Sequence, residues 1–184
     1  MRNVELFNKK KIAIIGLARS GLACANVLHG LGAEVWVTDS CDNEAIRKNA
    51  ALLHAGVTVE LGKHSEDYIR GKDLVVVSPG VPESALPLVW ARKHALAVVS
   101  EIEIAWQLCP ATVIAITGSC GKTTVTTLIG KVLEASGKHS FVCGNIGNPF
   151  SAEVEKMREG DYVSLEVSSF QLEKIKTFRP HVAV

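Results

Sequence analysis

Gly118, Ser119, Cys120, Gly121, Lys122, Thr123 and Thr124 form the stretch of this 184-residue chain whose residue types and spacing most directly imply chemistry. Two glycines let successive backbone N–H groups face one point, a lysine carries positive charge to it, and two hydroxyls follow at once. A buried apolar run over residues 113–116 leads into the turn, and a helical pattern over 125–133 leads out of it, so a helix N-terminus adds its partial charge. Such a loop is built for the phosphates of a nucleotide: Lys122 reaches the outer phosphates, and the Thr123 hydroxyl can ligate Mg²⁺. The second chemical residue is Glu166, at the C-terminal end of an otherwise apolar strand pattern over 162–167. A carboxylate on a buried strand is costly unless paired or coordinated, which makes it the second candidate Mg²⁺ ligand. Lys122 and Glu166 are therefore the candidate catalytic pair.

The elements that must position these residues read as α/β throughout. Residues 11–15 form a short apolar run ending in Gly16-Leu17-Ala18-Arg19-Ser20-Gly21, followed by a helical pattern to Leu31 and a strand over 34–38 that ends in Asp39. That is the outline of a Rossmann-type first unit. Ala18 replaces the middle glycine of G-x-G-x-x-G, and its methyl hinders close approach of a pyrophosphate. NAD, another ligand, and a turn that serves only helix packing all remain open at this point. A helix over 42–55, a strand over 57–60 and a central strand over 74–77 follow. The last runs into Ser78-Pro79-Gly80-Val81-Pro82, a rigid loop at a strand C-terminus, where open α/β sheets bind ligands. A helix over 84–94 and a strand over 97–99 come next. Ser100 and Glu103 then have capping-box spacing, and Glu101 and Glu103 are expected to complement a helix dipole without doing chemistry. Cys109-Pro110-Ala111 breaks the pattern, which divides the chain into domains of 1–109 and 110–184. A strand over 139–142 ends in a loop bearing Gly144, Asn145, Gly147 and Pro149.

Composition restricts the partners. With 47% hydrophobic residues, 21% charged residues and a net charge of +1, nothing attracts nucleic acid or an anionic membrane in bulk. The first residues have no secretory pattern, no run approaches spanning length, and five scattered cysteines show no disulfide or zinc spacing. A cytoplasmic monomer without a structural metal is expected.

Position 116 is Ile where the longer phosphate-loop motif has glycine, leaving the short form G-x-x-G-K-T from Gly118. In that short form the sequence resembles the Mur ligase family, ATP-dependent amide-forming enzymes of peptidoglycan synthesis. Within it, E-V-S-S-F-Q-L-E, preceded by G-N-I-G-N-P and followed by F-R-P-H-V-A-V, is similar to the member that adds D-glutamate to UDP-N-acetylmuramoyl-L-alanine. The resemblance implies a Rossmann-like N-terminal domain followed by the first part of a P-loop α/β central domain. It also implies ligation of D-glutamate through an acyl phosphate, with residues 118–124 on ATP, and Thr123 and Glu166 on Mg²⁺. It implies Asn145 on the muramoyl substrate, and Arg19, Ser20, Asp39, Ser78, Pro79 and Gly80 around the uridine diphosphate. Cys120 departs from the asparagine common in the family's loop, which leaves the backbone cradle intact. The family's central domain continues beyond a strand begun by residues 180–184, so this chain alone is expected not to turn over. A dinucleotide-binding oxidoreductase and a non-catalytic UDP-sugar-binding fragment are the alternatives.

Overall fold

A computed structural model describes residues 4–184. Runs of Ile and Val without intervening polar residues can be buried on both faces only in a parallel sheet, and every strand pair is parallel. The first sheet uses β1 (Lys11–Ile15), β2 (Glu34–Asp39), β3 (Thr58–Leu61), β4 (Leu74–Val77) and β5 (Val98–Ser100), in the order β3-β2-β1-β4-β5. Its helices are α1 (Arg19–Gly30), α2 (Glu44–Ala51), α3 (Leu86–Lys93) and α4 (Glu101–Leu108). The second sheet uses β6 (Thr112–Ile116), β7 (Ser140–Gly144), β8 (Tyr162–Glu166) and β9 (Val182–Ala183), in the order β7-β8-β6-β9. It carries α5 (Lys122–Ala135), α6 (Phe150–Glu153) and α7 (Ser169–Leu172). Among the described residues no helix is long and apolar enough to cross a membrane.

Alternation along β1 sends Ala13 and Ile15 into a small cluster with Leu88 and Ala91 of α3, and Ile12 and Ile14 into the main core. That main core continues through α1, α4 and α6 to Val113, Val163 and Leu165 of the second sheet. Cys109 and Ala111, at the expected boundary, are buried within it. The two sheets are separate, but the apolar interior between them is shared.

The first turn of α4 departs from expectation. Ser100 makes no side-chain cap, and neither acidic residue is a solvated dipole partner: Glu101 is 2% exposed and Glu103 is fully buried. Glu103 instead accepts from the backbone N–H groups of Lys176 (2.8 Å), Thr177 (3.0 Å) and Phe178 (3.0 Å), and from the Thr177 hydroxyl and Gln107. Three main-chain donors outcompete one helix-end N–H, so the carboxylate clasps the segment after α7. Burial opposes ionisation of Glu103, yet the hydrogen bonds led by Thr177 prevail and hold its pKa below the usual carboxylate range. Glu101 accepts from Ser151 N–H at 2.5 Å, its other oxygen has no hydrogen-bond partner among the described residues, and burial pushes its pKa up. A capping box does form elsewhere, between Ser168 and Gln171 at the start of α7.

Candidate functional site

The phosphate loop is made by two backbone reversals. Gly118 and Gly121 have φ of +133° and +79°, conformations open to glycine, and Gly121 is the N-cap from which α5 begins at Lys122. The helix starts three residues earlier than its apolar pattern, because Lys122, Thr123 and Thr124 are polar residues of its first turn. Lys122 Nζ donates to the carbonyls of Gly118 (2.7 Å) and Ser119 (3.4 Å), lying across the loop rather than away from it. Ser119 and Cys120 are exposed at its crest.

Glu166 faces this loop because the strand ends are level: Ile116 pairs with Glu166 across β6 and β8, and Gly144 pairs with Glu166 across β7 and β8. Its carboxylate is 1% exposed. One oxygen accepts from the Thr123 hydroxyl at 2.8 Å and the other from the Asn145 side-chain amide at 2.7 Å. Asn145 N–H also donates to Glu166 carbonyl at 2.8 Å. A Cβ on Gly144 would stand 2.3 Å from that same carbonyl, so glycine is what lets β7 come close enough to deliver Asn145. Residues from three strand ends thus meet on one carboxylate. The proton that Thr123 gives to Glu166 leaves its oxygen lone pairs available, and two hard oxygen donors beside a lysine and a helix N-terminus fit Mg²⁺ with a phosphate chain.

The other expected residues gather at a separate cleft of about 600 Å³ over the C-terminal ends of β1, β2 and β4, lined by Arg19, Ser20, Asp39, Ser78, Pro79 and Gly80. Its floor is rigid. A Cβ on Gly21 would meet Gly16 carbonyl at 1.9 Å, so α1 packs on the turn only with glycine there. Ser78 donates back to Gly16 carbonyl at 3.3 Å, joining the β1 and β4 loops at the point where the strand order reverses. Asp39 accepts from Leu17 N–H (2.6 Å) and Cys41 N–H (2.8 Å), one on each oxygen, which shapes both loops from within and leaves each oxygen a further lone pair. Arg19 donates to Gly147 carbonyl at 2.9 Å, reaching from α1 to the Asn145 loop.

Asn145 does not line this cleft. It lines a neighbouring one of about 630 Å³ with Ser168, Phe170 and Glu83, and the Pro79 to Pro82 loop borders both. Lys174 bonds Glu83 at 2.5 Å, tying that loop to the segment after α7. The two clefts therefore adjoin at the Pro79 to Pro82 loop, and Asn145 of the second is bonded to the buried Glu166. His64 also lines the first cleft, a residue that sequence reasoning passed over although it follows a strand C-terminus, the position at which such sheets hold ligands.

A strand, a Gly-Lys-Thr loop, a helix and a facing carboxylate, joined to a Rossmann-type sheet, define the class of P-loop α/β proteins. The family model of the MurD-like Mur ligase N-terminal domain matches residues 10–100, and that of the Mur ligase middle domain matches residues 116–184. The chain belongs to the Mur ligase family. Among curated relatives, UDP-N-acetylmuramoylalanine–D-glutamate ligase of Koribacter versatilis is 46% identical over 175 residues, covering 95% of this chain and 39% of that protein. The enzyme of the same name from Geobacter sp. strain M21 is 47% identical over 182 residues, covering 98% of this chain and 40% of its own. The chain thus spans about two fifths of the length of these relatives. In fold it is similar to a murein peptide ligase from Psychrobacter arcticus, with a TM-score of 0.58 at 19% identity, covering 95% of this chain and 42% of the other. UDP-N-acetylmuramate:L-alanyl-γ-D-glutamyl-meso-diaminopimelate ligase from Neisseria meningitides gives 0.58 at 21%, covering 95% and 59%.

Proposed function

We propose that residues 1–109 bind the UDP-sugar end of UDP-N-acetylmuramoyl-L-alanine and that residues 110–184 bind Mg-ATP, as the first part of a cytoplasmic, monomeric ligase that adds D-glutamate. The observation that carries this reading is that the cleft beside Asp39 and the cleft beside Asn145 adjoin at the Pro79 to Pro82 loop, with Asn145 bonded to Glu166. A ligand laid from Asp39 past Gly80 to Asn145 presents its far end to the Glu166 and Lys122 site. Phosphoryl transfer to a carboxylate joins two anions, so the barrier is chiefly one of charge and alignment. In the proposed reaction the substrate carboxylate attacks the γ-phosphorus, ADP leaves, and an acyl phosphate forms. The amine of D-glutamate then adds to the carbonyl, and loss of phosphate and a proton gives the amide. Lys122 turns from the loop carbonyls to the transferring phosphoryl group, and the loop N–H groups hold the phosphates in line. Asn145 orients the substrate while fixing Glu166. Thr123 and Glu166 would hold Mg²⁺, which supplies charge neutralisation between the phosphate oxygens when bound.

Calorimetry with UDP-N-acetylmuramoyl-L-alanine and, separately, Mg-ATP tests the reading. Lys122→Ala is expected to lower Mg-ATP affinity about a hundredfold, the worth of a pair of charge-assisted hydrogen bonds, and to leave the UDP-sugar affinity unchanged. Equal loss of both affinities in a folded variant refutes the assignment of the two ligands to two sites.

A further inference from the structure

The interior shared by the two sheets holds a carboxyl that none of the foregoing chemistry uses. Glu101, in the first turn of α4, is 2% exposed, and its Oε1 accepts from Ser151 N–H of α6 at 2.5 Å. The contact joins a helix of the first half to a helix of the second. Glu101 Oε2 and the Ser151 hydroxyl are both buried without a hydrogen-bond partner among the described residues, and the hydroxyl lies close enough to act on the same carboxyl. Two orphaned oxygens in one contact call for a proton between them.

The surroundings of the carboxyl decide its charge. Cys24 of α1 and Cys143 of β7 face it, both thiols pushed up by burial and further by Glu101, while Cys109 and Glu153 of α6 act on Cys143. From β5 comes only the Ser100 hydroxyl, and α7, also packed on α4, carries no titratable residue. The cations of the packed elements are engaged elsewhere: Arg19 on Gly147 carbonyl, Lys156 on Glu153 at 3.0 Å, Lys174 on Glu83, and His29 against His54. None of them acts on Glu101. An ionised Glu101 is thus a buried anion walled by thiols, and the single turn of α6 has little dipole to offset it. A neutral carboxyl escapes that cost and gains a donor that the Ser151 hydroxyl can accept. Burial accordingly raises the Glu101 pKa against the opposing bonds from Ser151.

We propose that Glu101 is a neutral carboxylic acid in the folded chain, donating from Oε2–H to the Ser151 hydroxyl while Oε1 accepts from Ser151 N–H, and that this two-point latch fastens α6 to the first half. The loop before α6 hangs on it. Asn148 donates to Glu153 of α6 at 2.5 Å and accepts at its carbonyl from Gly144 N–H at 2.8 Å, and between those two residues Asn145 reaches Glu166. Glu101 is therefore a positioning residue for the Asn145 loop, acting through α6. Because the folded pKa is raised, the latch is complete below the ordinary carboxylate pKa and is lost as pH rises through the folded value.

Infrared spectroscopy and amide exchange of the whole 184-residue chain test the latch. At about pH 6, where ordinary carboxyls are ionised, the unaltered chain is expected to show the carbonyl stretch of a protonated carboxyl, and Glu101→Gln is expected to lose it. Ser151→Ala is expected to keep that band and move it to higher frequency, because the acid proton has lost its acceptor. Glu101→Gln presents an acceptor and a donor in the same places, so it keeps α6 fastened with no proton to lose. The opening constant for the amides of Asn148 and α6, taken relative to Glu101→Gln, is expected to rise up to about tenfold per pH unit between the ordinary and the folded pKa and to level off above it. The proposal is overturned if the band is missing at about pH 6, if Glu101→Gln retains it, if Ser151→Ala leaves its frequency unchanged, or if the exchange ratio does not move with pH. Should Ser151→Ala fail to fold, the band in Glu101→Gln and the exchange ratio still decide.

Discussion

Truncating Glu103 to alanine removes the acceptor for three main-chain N–H groups of residues 176–178 at once. Hydrogen bonds to a charged group contribute about 1.5–3 kcal/mol each, against about 0.5–1.5 kcal/mol for neutral pairs. Lys176 and Thr177 lie at the surface, where water can replace the lost partner, so the low end applies. The expected cost is about 4 kcal/mol, a large part of the total for a chain of this size. Glu103→Gln should cost about half as much, because an amide oxygen can stay on the main-chain donors while Thr177 and Gln107 reorient toward its NH₂ group. Urea denaturation at neutral pH measures both, and amide exchange of residues 176–178 localises the effect. The pH dependence has a definite sign. Because the folded pKa of Glu103 is depressed, its contribution is complete above the ordinary carboxylate pKa and is lost as pH falls through the folded value. The gap between the unaltered chain and Glu103→Ala should therefore close in acid. An unchanged urea midpoint in Glu103→Ala, or a gap that persists undiminished to about pH 2, refutes the clasp.

Glu101→Gln is expected to do the reverse of Glu103→Gln. Its folded pKa is raised, so its contribution is greatest below the unfolded pKa and declines as pH rises. The variant should melt higher than the unaltered chain near pH 8 and about equally near pH 4, and a lower melting temperature at both would count against this. Iodoacetamide should label Cys120 and Cys41, which are exposed, and spare Cys24, Cys109 and Cys143, which are buried. Mass mapping should show Mg-ATP protecting Cys120 and the UDP-sugar protecting Cys41, and the opposite pattern would exchange the two sites.

What the sequence disclosed was whatever depends on neighbours in the chain. The loop over residues 118–124 carries its geometry in its own glycines, and the strands sit within two residues of where their Ile and Val runs place them. Glu166 was legible because a lone carboxylate in an apolar strand is conspicuous. Its bond to Asn145 was not, because that contact depends on Gly144 letting two strand ends close together. The S-x-x-E and S-x-x-Q spacings at Ser100 and Ser168 look alike on paper. Only the second caps its helix, since Glu103 meets better donors more than seventy residues away. The four-residue α6 is too short to show a period, although Phe150 in it is fully buried.

The apolar interior that passes from Ile12 and Ile14 through α1, α4 and α6 to Val163 and Leu165 has a thermodynamic consequence for any ligand experiment. Two halves that share one interior are expected to unfold together, so a ligand on either half withdraws the same unfolded population. Mg-ATP at the loop then raises the melting temperature of the UDP-sugar cleft, and the reverse, with no conformational signal passing between them. Such mutual stabilisation can imitate cooperativity in a melting curve while the two dissociation constants measured isothermally stay independent. Heat reports that a ligand has bound, and only a local probe such as amide exchange reports where.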